Sequence, residues 1–203
     1  MVAGLALEAT AWWMVAFRRS DVWRVTVPVV VAMGVAALLV GPPGWSAEVR
    51  PVLATAAGAG AGAVFYLLTR AFVALVRPWE AFGRHSLAMY LRQGSRSLAW
   101  ALVVSVALVV PGEELFWRGL FQGELDRALG VGAGLGACLA WAAYVAANLP
   151  SANLAIVAGA GVGGALWGAL TWWSGGVLAP LASHAVWTAL MLSFPVVRSE
   201  AVA

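Results

Sequence analysis

A chain of 203 residues that is 63% hydrophobic and only 10% charged lies far from the roughly 25% charged residues of soluble domains. This excludes a soluble globular domain and makes the protein an integral membrane protein. A formal charge of +3 is too small and too dispersed for a nucleic-acid footprint, and a single cysteine, Cys138, leaves neither an internal disulfide nor a thiolate metal site.

The first apolar run, Val2 to Phe17, is interrupted only by Glu8 and ends at Arg18-Arg19-Ser20-Asp21. It is short for a span, which needs about 20 residues, and Trp12 and Trp13 are expected to anchor it. No basic segment precedes it, so no secretory signal peptide is evident and the helix is expected to stay in the protein. A second span is expected over Val25 to Gly41, with Pro28 in its first turn, where a missing N–H matters least. Gly41-Pro42-Pro43-Gly44 ends it. The third, Val52 to Thr69, carries Gly58, Gly60 and Gly62, small positions that let a neighbouring backbone approach closely.

Arg70, Arg77, Arg84, Arg92 and Arg96 alternate with Phe72, Trp79, Phe82 and Tyr90, which predicts an interfacial amphipathic segment. With Arg18, Arg19 and Arg24 two spans earlier, both loops belong in the cytoplasm by the positive-inside rule. His85, within this basic stretch, is expected to be a solvated surface residue.

The fourth span begins near Leu98 and runs into Pro111-Gly112-Glu113-Glu114-Leu115-Phe116-Trp117-Arg118-Gly119. Each charge at mid-bilayer costs about 2.5 to 3.5 kcal/mol on insertion scales, against about 0.3 to 0.6 kcal/mol gained per leucine. Something inside the protein must offset that cost. Glu114 and Arg118 are i,i+4 neighbours in the favourable order; Glu113, about 100° round the helix, needs another partner. A Pro-Gly break followed by acids complementing a helix dipole would explain the glutamates. It would not explain Arg118 among Trp117, Leu120 and Phe121, and an intramembrane ionisable cluster marks a functional site.

Gln122 to Arg127 is expected to form a polar end before Gly130. The fifth span, Val131 to Asn148, is again glycine-rich at Gly132, Gly134 and Gly136, and Cys138 within it is expected to be a small buried hydrophobe. After the Leu149-Pro150 break, Ser151 is a plausible cap for the sixth, Leu154 to Trp173. The seventh, Val177 to Phe194, contains His184 and Thr188 on one face. Alone, Asn148 or Thr188 would serve as interhelical glue worth under about 1 to 2 kcal/mol; together with His184 and the acidic motif they argue for convergence on one site. The expected fold class is all-α, a polytopic transmembrane bundle of about seven to eight helices, forming one membrane domain over residues 1–203 with a motif-bearing core at 98–194.

The order Glu-Glu-x-x-x-Arg, then aromatic-x-x-x-polar, then His-x-x-x-polar resembles the CAAX protease and bacteriocin-processing family, also called the Abi family of intramembrane glutamic endopeptidases. The resemblance covers about Leu98 to Phe194. It implies metal-free hydrolysis of a peptide bond, with no cofactor. Glu113 would activate water, supported by the Glu114 and Arg118 pair. Asn148 would position water or substrate, and His184 with Thr188 would stabilise the oxyanion. The sequence departs from the family at two places. Tyr144-Val145-Ala146-Ala147-Asn148 stands where Phe-x-x-x-His is usual, and Thr188 stands where the third motif usually ends in Asn or Asp. An amide cannot take a proton near neutral pH. Two functions therefore follow: an endopeptidase acting on membrane-anchored or membrane-proximal proteins or peptides, or a pseudoprotease of the same fold that binds membrane peptides or partner proteins without cutting them. An ion pathway is a third, and no internal symmetry of the transporter kind supports it. The implied partners are such a peptide and the lipid bilayer, without nucleic acid; the implied location is the prokaryotic plasma membrane, multi-pass.

Overall fold

The structure, a computed structural model, describes residues 1–41, 43–76, 78–92, 94–129 and 134–197. Pro42, Arg77, Gly130, Val131 and Gly132 lie outside the described residues. Among the described residues the chain is all-helical, with eight helices: α1 (Val2–Phe17), α2 (Val22–Val40), α3 (Pro51–Leu75), α4 (Glu80–Leu91), α5 (Leu98–Leu129), α6 (Gly134–Asn148), α7 (Leu154–Ser174) and α8 (Leu178–Ser193). Four of them, α2, α3, α5 and α7, are long and apolar enough to cross a membrane, while α1 and α8 are shorter apolar helices. Leu39, Val52, Leu67 and Val103 are among many large apolar side chains exposed on the bundle, as a surface facing lipid rather than water requires.

The two ends of the bundle are tied differently. At the arginine-bearing end, His85 of α4 meets the start of α7 (Leu154 N to His85 Nδ1, 2.9 Å). There also the Tyr66 hydroxyl donates to Phe194 O (2.8 Å) and Val196 N donates to the Tyr90 hydroxyl (3.2 Å). At the opposite end the segment after α2 forms backbone hydrogen bonds with the α7–α8 turn, Val177 N to Gly44 O (2.9 Å) and Glu48 N to Ser174 O (3.1 Å) among them. Between these ends glycines set the helix spacing. A Cβ on Gly58 or Gly62 would collide with the backbone of Ala179 or Ser183 on α8, the close approach expected of that run. Gly34 of α2 faces Gly112 of α5 just as tightly, and this crossing seats the acidic motif in the bundle.

Several local expectations are corrected. Asp21 caps α2 by accepting from Arg24 N, so Pro28 sits inside the helix rather than in its first turn. Arg70 belongs to α3, leaving α4 as the amphipathic piece. Ser151 belongs to a short 3-10 turn (Leu149–Ser151), and Asn153 caps α7 instead, accepting from Ala155 N and Ile156 N. Gln122 is buried and donates to Gly168 O (3.3 Å) rather than forming a polar end. His85 is half-buried and holds the α7 terminus rather than being merely solvated. Cys138 is exposed on α6, not buried.

Candidate functional site

Pro111 should end a helix, because it lacks an N–H and its ring crowds the carbonyl four residues back. α5 nevertheless runs through it. The turn immediately before it, Ser105–Val109, is widened into π-helical geometry, with Val110 N bonded to Ser105 O. The wider turn makes room for the ring. A second π-helical stretch, Leu115–Gln122, follows the glutamates. Such turns inside α-helices recur at functional sites.

Counting about 1.5 Å per residue, Glu113 lies about 22 Å along α5 from Leu98, and His184 about 9 Å along α8 from Leu178. The two helices start at opposite ends of the bundle, so the residues share a level within a hydrocarbon core about 30 Å thick. Asn148 lies near the end of α6, and the gap between it and Glu113 is bridged by Tyr144, one turn earlier.

The two adjacent glutamates have unlike surroundings. Glu114 is completely buried (0% exposed). Its Oε1 accepts from Arg118 Nη1 (3.4 Å) and lies 2.8 Å from His184 Nδ1. Arg118 also donates to Gly164 O (3.4 Å), and its guanidinium lies over the rings of Tyr144 and Trp167, 4.6 and 5.3 Å from their centroids. The His184 ring stacks on Trp167 at 3.7 Å. Each charge in this cluster therefore has an opposite charge or an aromatic face against it, as a buried ion pair requires.

Glu113 faces the other way. Its Oε2 accepts from the Tyr144 hydroxyl (3.0 Å), the partner that the sequence left unassigned. It borders a cavity of about 280 Å³ that Tyr144, Asn148, His184 and Thr188 also line. Arg118 and Glu114 lie behind this wall rather than on it. With its Nδ1 engaged by Glu114, the His184 ring has its second nitrogen left for the cavity.

A fourth helix completes the wall and brings a third carboxyl to the site. Glu8 of α1, only 3% exposed, accepts from Asn148 Nδ2 (3.2 Å) and from Trp117 Nε1 (2.7 Å), and it lines the same cavity. Asn148 Nδ2 donates a second time, to Tyr144 O (2.9 Å). The sequence signal for Glu8 was its position as the one charge in an apolar run. Its partner, 140 residues away, is legible only from the fold.

From Glu113 the cavity lining continues to Thr26, Trp23 and Val22 at the start of α2 and to Tyr90 and Arg92 at the end of α4. These residues belong to the arginine-bearing end. Arg92 Nη1 is buried there with no hydrogen-bond partner among the described residues, and burial pushes its guanidinium below its ordinary pKa. Among the described residues, no group of three or more His, Cys, Asp or Glu side chains is disposed to hold a metal ion.

A helical bundle with spanning helices and charged side chains enclosed at mid-depth defines an integral membrane protein with an internal polar site. Residues 95–190 match the family model described as Type II CAAX prenyl endopeptidase Rce1-like, the family that the three motifs suggest. The match includes Glu113, Glu114, Arg118, Asn148, His184 and Thr188 and excludes Glu8. Neither the curated proteins nor the solved structures gave a match to the chain.

Proposed function

We propose that the protein is an intramembrane endopeptidase that hydrolyses a peptide bond in a membrane-anchored or membrane-proximal protein or peptide. The observation that carries this reading is a single cavity bordered by Glu113, Asn148, His184 and Thr188, four residues that all belong to the segment matching a protease family. Glu113 is the base that takes a proton from water. Its phenol partner, Tyr144, orients the carboxylate. Glu114 and Arg118 support it from behind, and Glu114 fixes the His184 ring. His184 and Thr188 supply the donors for the oxyanion, an interaction worth about 2.7 to 4 kcal/mol per donor in comparable sites. Donation from the His184 Nε2 requires the doubly protonated ring, whose charge then sits beside the Glu114 carboxylate. Asn148 has its amide hydrogens committed to Glu8 and Tyr144, so it holds the wall of the site and carries no proton.

The cavity lining reaches the arginine-bearing end, which favours entry of substrate from the cytoplasmic face. We assign the protein to the prokaryotic plasma membrane as a multi-pass protein. The whole chain forms one membrane unit in this reading, supported by the packing of α1 on α6 and of α3 on α8 across the sequence.

The commitment of the Asn148 amide also favours a second reading, a pseudoprotease that binds membrane peptides or partner proteins in the cavity without cutting them. Purified protein and its Glu113→Ala variant, given a panel of membrane-tethered peptides, separate the two. Hydrolysis requires that the wild type cleave at least one and the variant none. Equal cleavage by both, or binding without cleavage by the wild type, contradicts it.

A further inference from the structure

Two carboxyl groups, Glu8 and Glu113, border the same cavity, and their settings differ from that of Glu114 in one respect. Both are held by neutral donors: Glu113 by the Tyr144 hydroxyl, Glu8 by the Asn148 amide and the Trp117 indole. A carboxylate has about four acceptor sites, so Glu8 keeps lone pairs after both bonds. Glu113 is the like charge that shares this cavity with it. The titratable or charged groups facing Glu8 are Glu113 and, farther off, Arg118 from α5, Tyr144 from α6 and His184 across the cavity. α2 and the 149–151 turn, both packed on α1, present no titratable side chain to the cavity. His184 engages Glu114 through Nδ1 and offers its other nitrogen to the oxyanion, the Tyr144 hydroxyl already donates to Glu113, and Asn148 cannot carry a proton. Glu8 is therefore the second carboxyl on the cavity wall able to exchange a proton with Glu113. Two carboxyls in a shared low-dielectric site do not both ionise readily, and sharing one proton is how such pairs divide acid and base work.

We propose that Glu8, contributed by the first helix from outside the family-matched segment, is the general acid of the site and shares one proton with Glu113. The inference rests on the hydrolytic reading above. At rest Glu113 is the carboxylate and Glu8 the carboxylic acid. Glu113 takes one proton from water as the water oxygen bonds to the scissile carbonyl carbon. The oxygen of that carbonyl takes up the negative charge. As the tetrahedral species collapses, the carbon–nitrogen bond breaks and Glu8 gives its proton to the departing nitrogen. The products are a carboxylic acid and an amine, so one water has been consumed. Glu113 now carries the proton and Glu8 the charge, and transfer of that proton from Glu113 to Glu8 through water restores the starting state. α1 is then part of the active site rather than a membrane anchor.

The test uses the full-length protein in liposomes with Glu8→Gln and Glu8→Asp. Glu8→Gln is expected to lower kcat on a cleaved membrane-tethered peptide by at least about 100-fold, the low end of general acid–base effects, with KM nearly unchanged. Its pH–rate profile should lose the limb that reports the acid, and Glu8→Asp should recover part of the rate. Wild-type kcat and an unaltered pH profile in Glu8→Gln would overturn the assignment. So would an inactive Glu8→Asp that melts at the wild-type temperature. Infrared difference spectroscopy supplies a readout that needs no cleavage. A carboxylic-acid C=O band should be present in the wild type near neutral pH and absent there from Glu8→Gln, while in Glu113→Gln it should remain but disappear at a lower pH than in the wild type, because the like charge is gone. If the wild type cleaves no peptide, the hydrolytic reading fails, and the band alone then decides whether the two carboxyls share a proton: its loss in Glu8→Gln together with its shift to lower pH in Glu113→Gln supports the pair, and a band unchanged in either variant refutes it.

Discussion

Glu113 and Glu114 are neighbours in sequence and opposites in setting. Glu114 is enclosed with Arg118 and His184 against Trp167, where every charge is balanced by another charge or an aromatic face. Glu113 stands on the cavity wall with Glu8, and both are held by neutral hydroxyl, amide and indole donors. A compensated ion cluster suits a fixed framework, because moving a proton within it would leave a buried charge unpaired. Carboxyls held by neutral donors can exchange a proton without that cost. The contrast separates what holds the site together from what can do chemistry, and a single 100° step around α5 produces it.

The sharpest way to break this division is to remove Arg118. Arg118→Leu takes from Glu114 its permanent counter-charge and leaves it with His184, so a loss toward the low end of about 3 to 5 kcal/mol is expected, read as a large fall in melting temperature in detergent. Glu113→Gln, by contrast, should leave the melting temperature nearly unchanged while abolishing cleavage. If the two substitutions lower stability equally, the distinction between framework and cavity is lost.

A smaller effect is expected where backbones cross. Gly62→Ala drives a Cβ into the Ser183 backbone, next to His184, and overpacking of this kind costs about 1 to 3 kcal/mol. Gly60→Ala meets open space in the same helix and should melt like the wild type. Comparing the two by thermal unfolding shows whether the α3–α8 contact, rather than helix propensity, sets the position of His184.

Tyr144→Phe removes the phenol bond to Glu113 and little else. A hydrogen bond to a charged group contributes about 1.5 to 3 kcal/mol; here that should appear as a roughly 10- to 100-fold drop in kcat, since about 1.4 kcal/mol corresponds to tenfold. The smallest change belongs to the periphery. His85→Ala loses the bond to Leu154 N, for which about 0.5 to 1.5 kcal/mol of stability is expected, with cleavage retained.

The spans were legible because runs of apolar residues have no other stable arrangement in lipid, and the observed α7 and α8 lie within a residue or so of the ranges that hydropathy suggests. The Glu114–Arg118 pairing followed from helical spacing alone. What could not be read is what depends on facing. Cys138 reads from composition as a core residue, but in a membrane helix the lipid side is as apolar as the interior, so composition does not tell them apart. Pro111-Gly112 offered two possibilities, a break or a continuous helix. The outcome depends on the π-helical turn at Ser105–Val109 and on the close Gly34–Gly112 crossing, neither of which has a local signature. Glu8 was visible as an anomaly in the first apolar run, but its role required knowing that α1 packs beside α6.

The claim on which the rest depends is that Glu113, Glu8, Asn148, His184 and Thr188 border one wet cavity reached from the arginine-bearing side. Cysteine labelling tests it directly, because replacing the exposed Cys138 by alanine leaves a chain without thiols. With Thr188→Cys in that background, reconstituted in sealed vesicles of known orientation, a charged, membrane-impermeant maleimide should react when added on the arginine-bearing side and not from the other. Labelling from the opposite side alone, or no labelling until the protein is unfolded, would contradict the account.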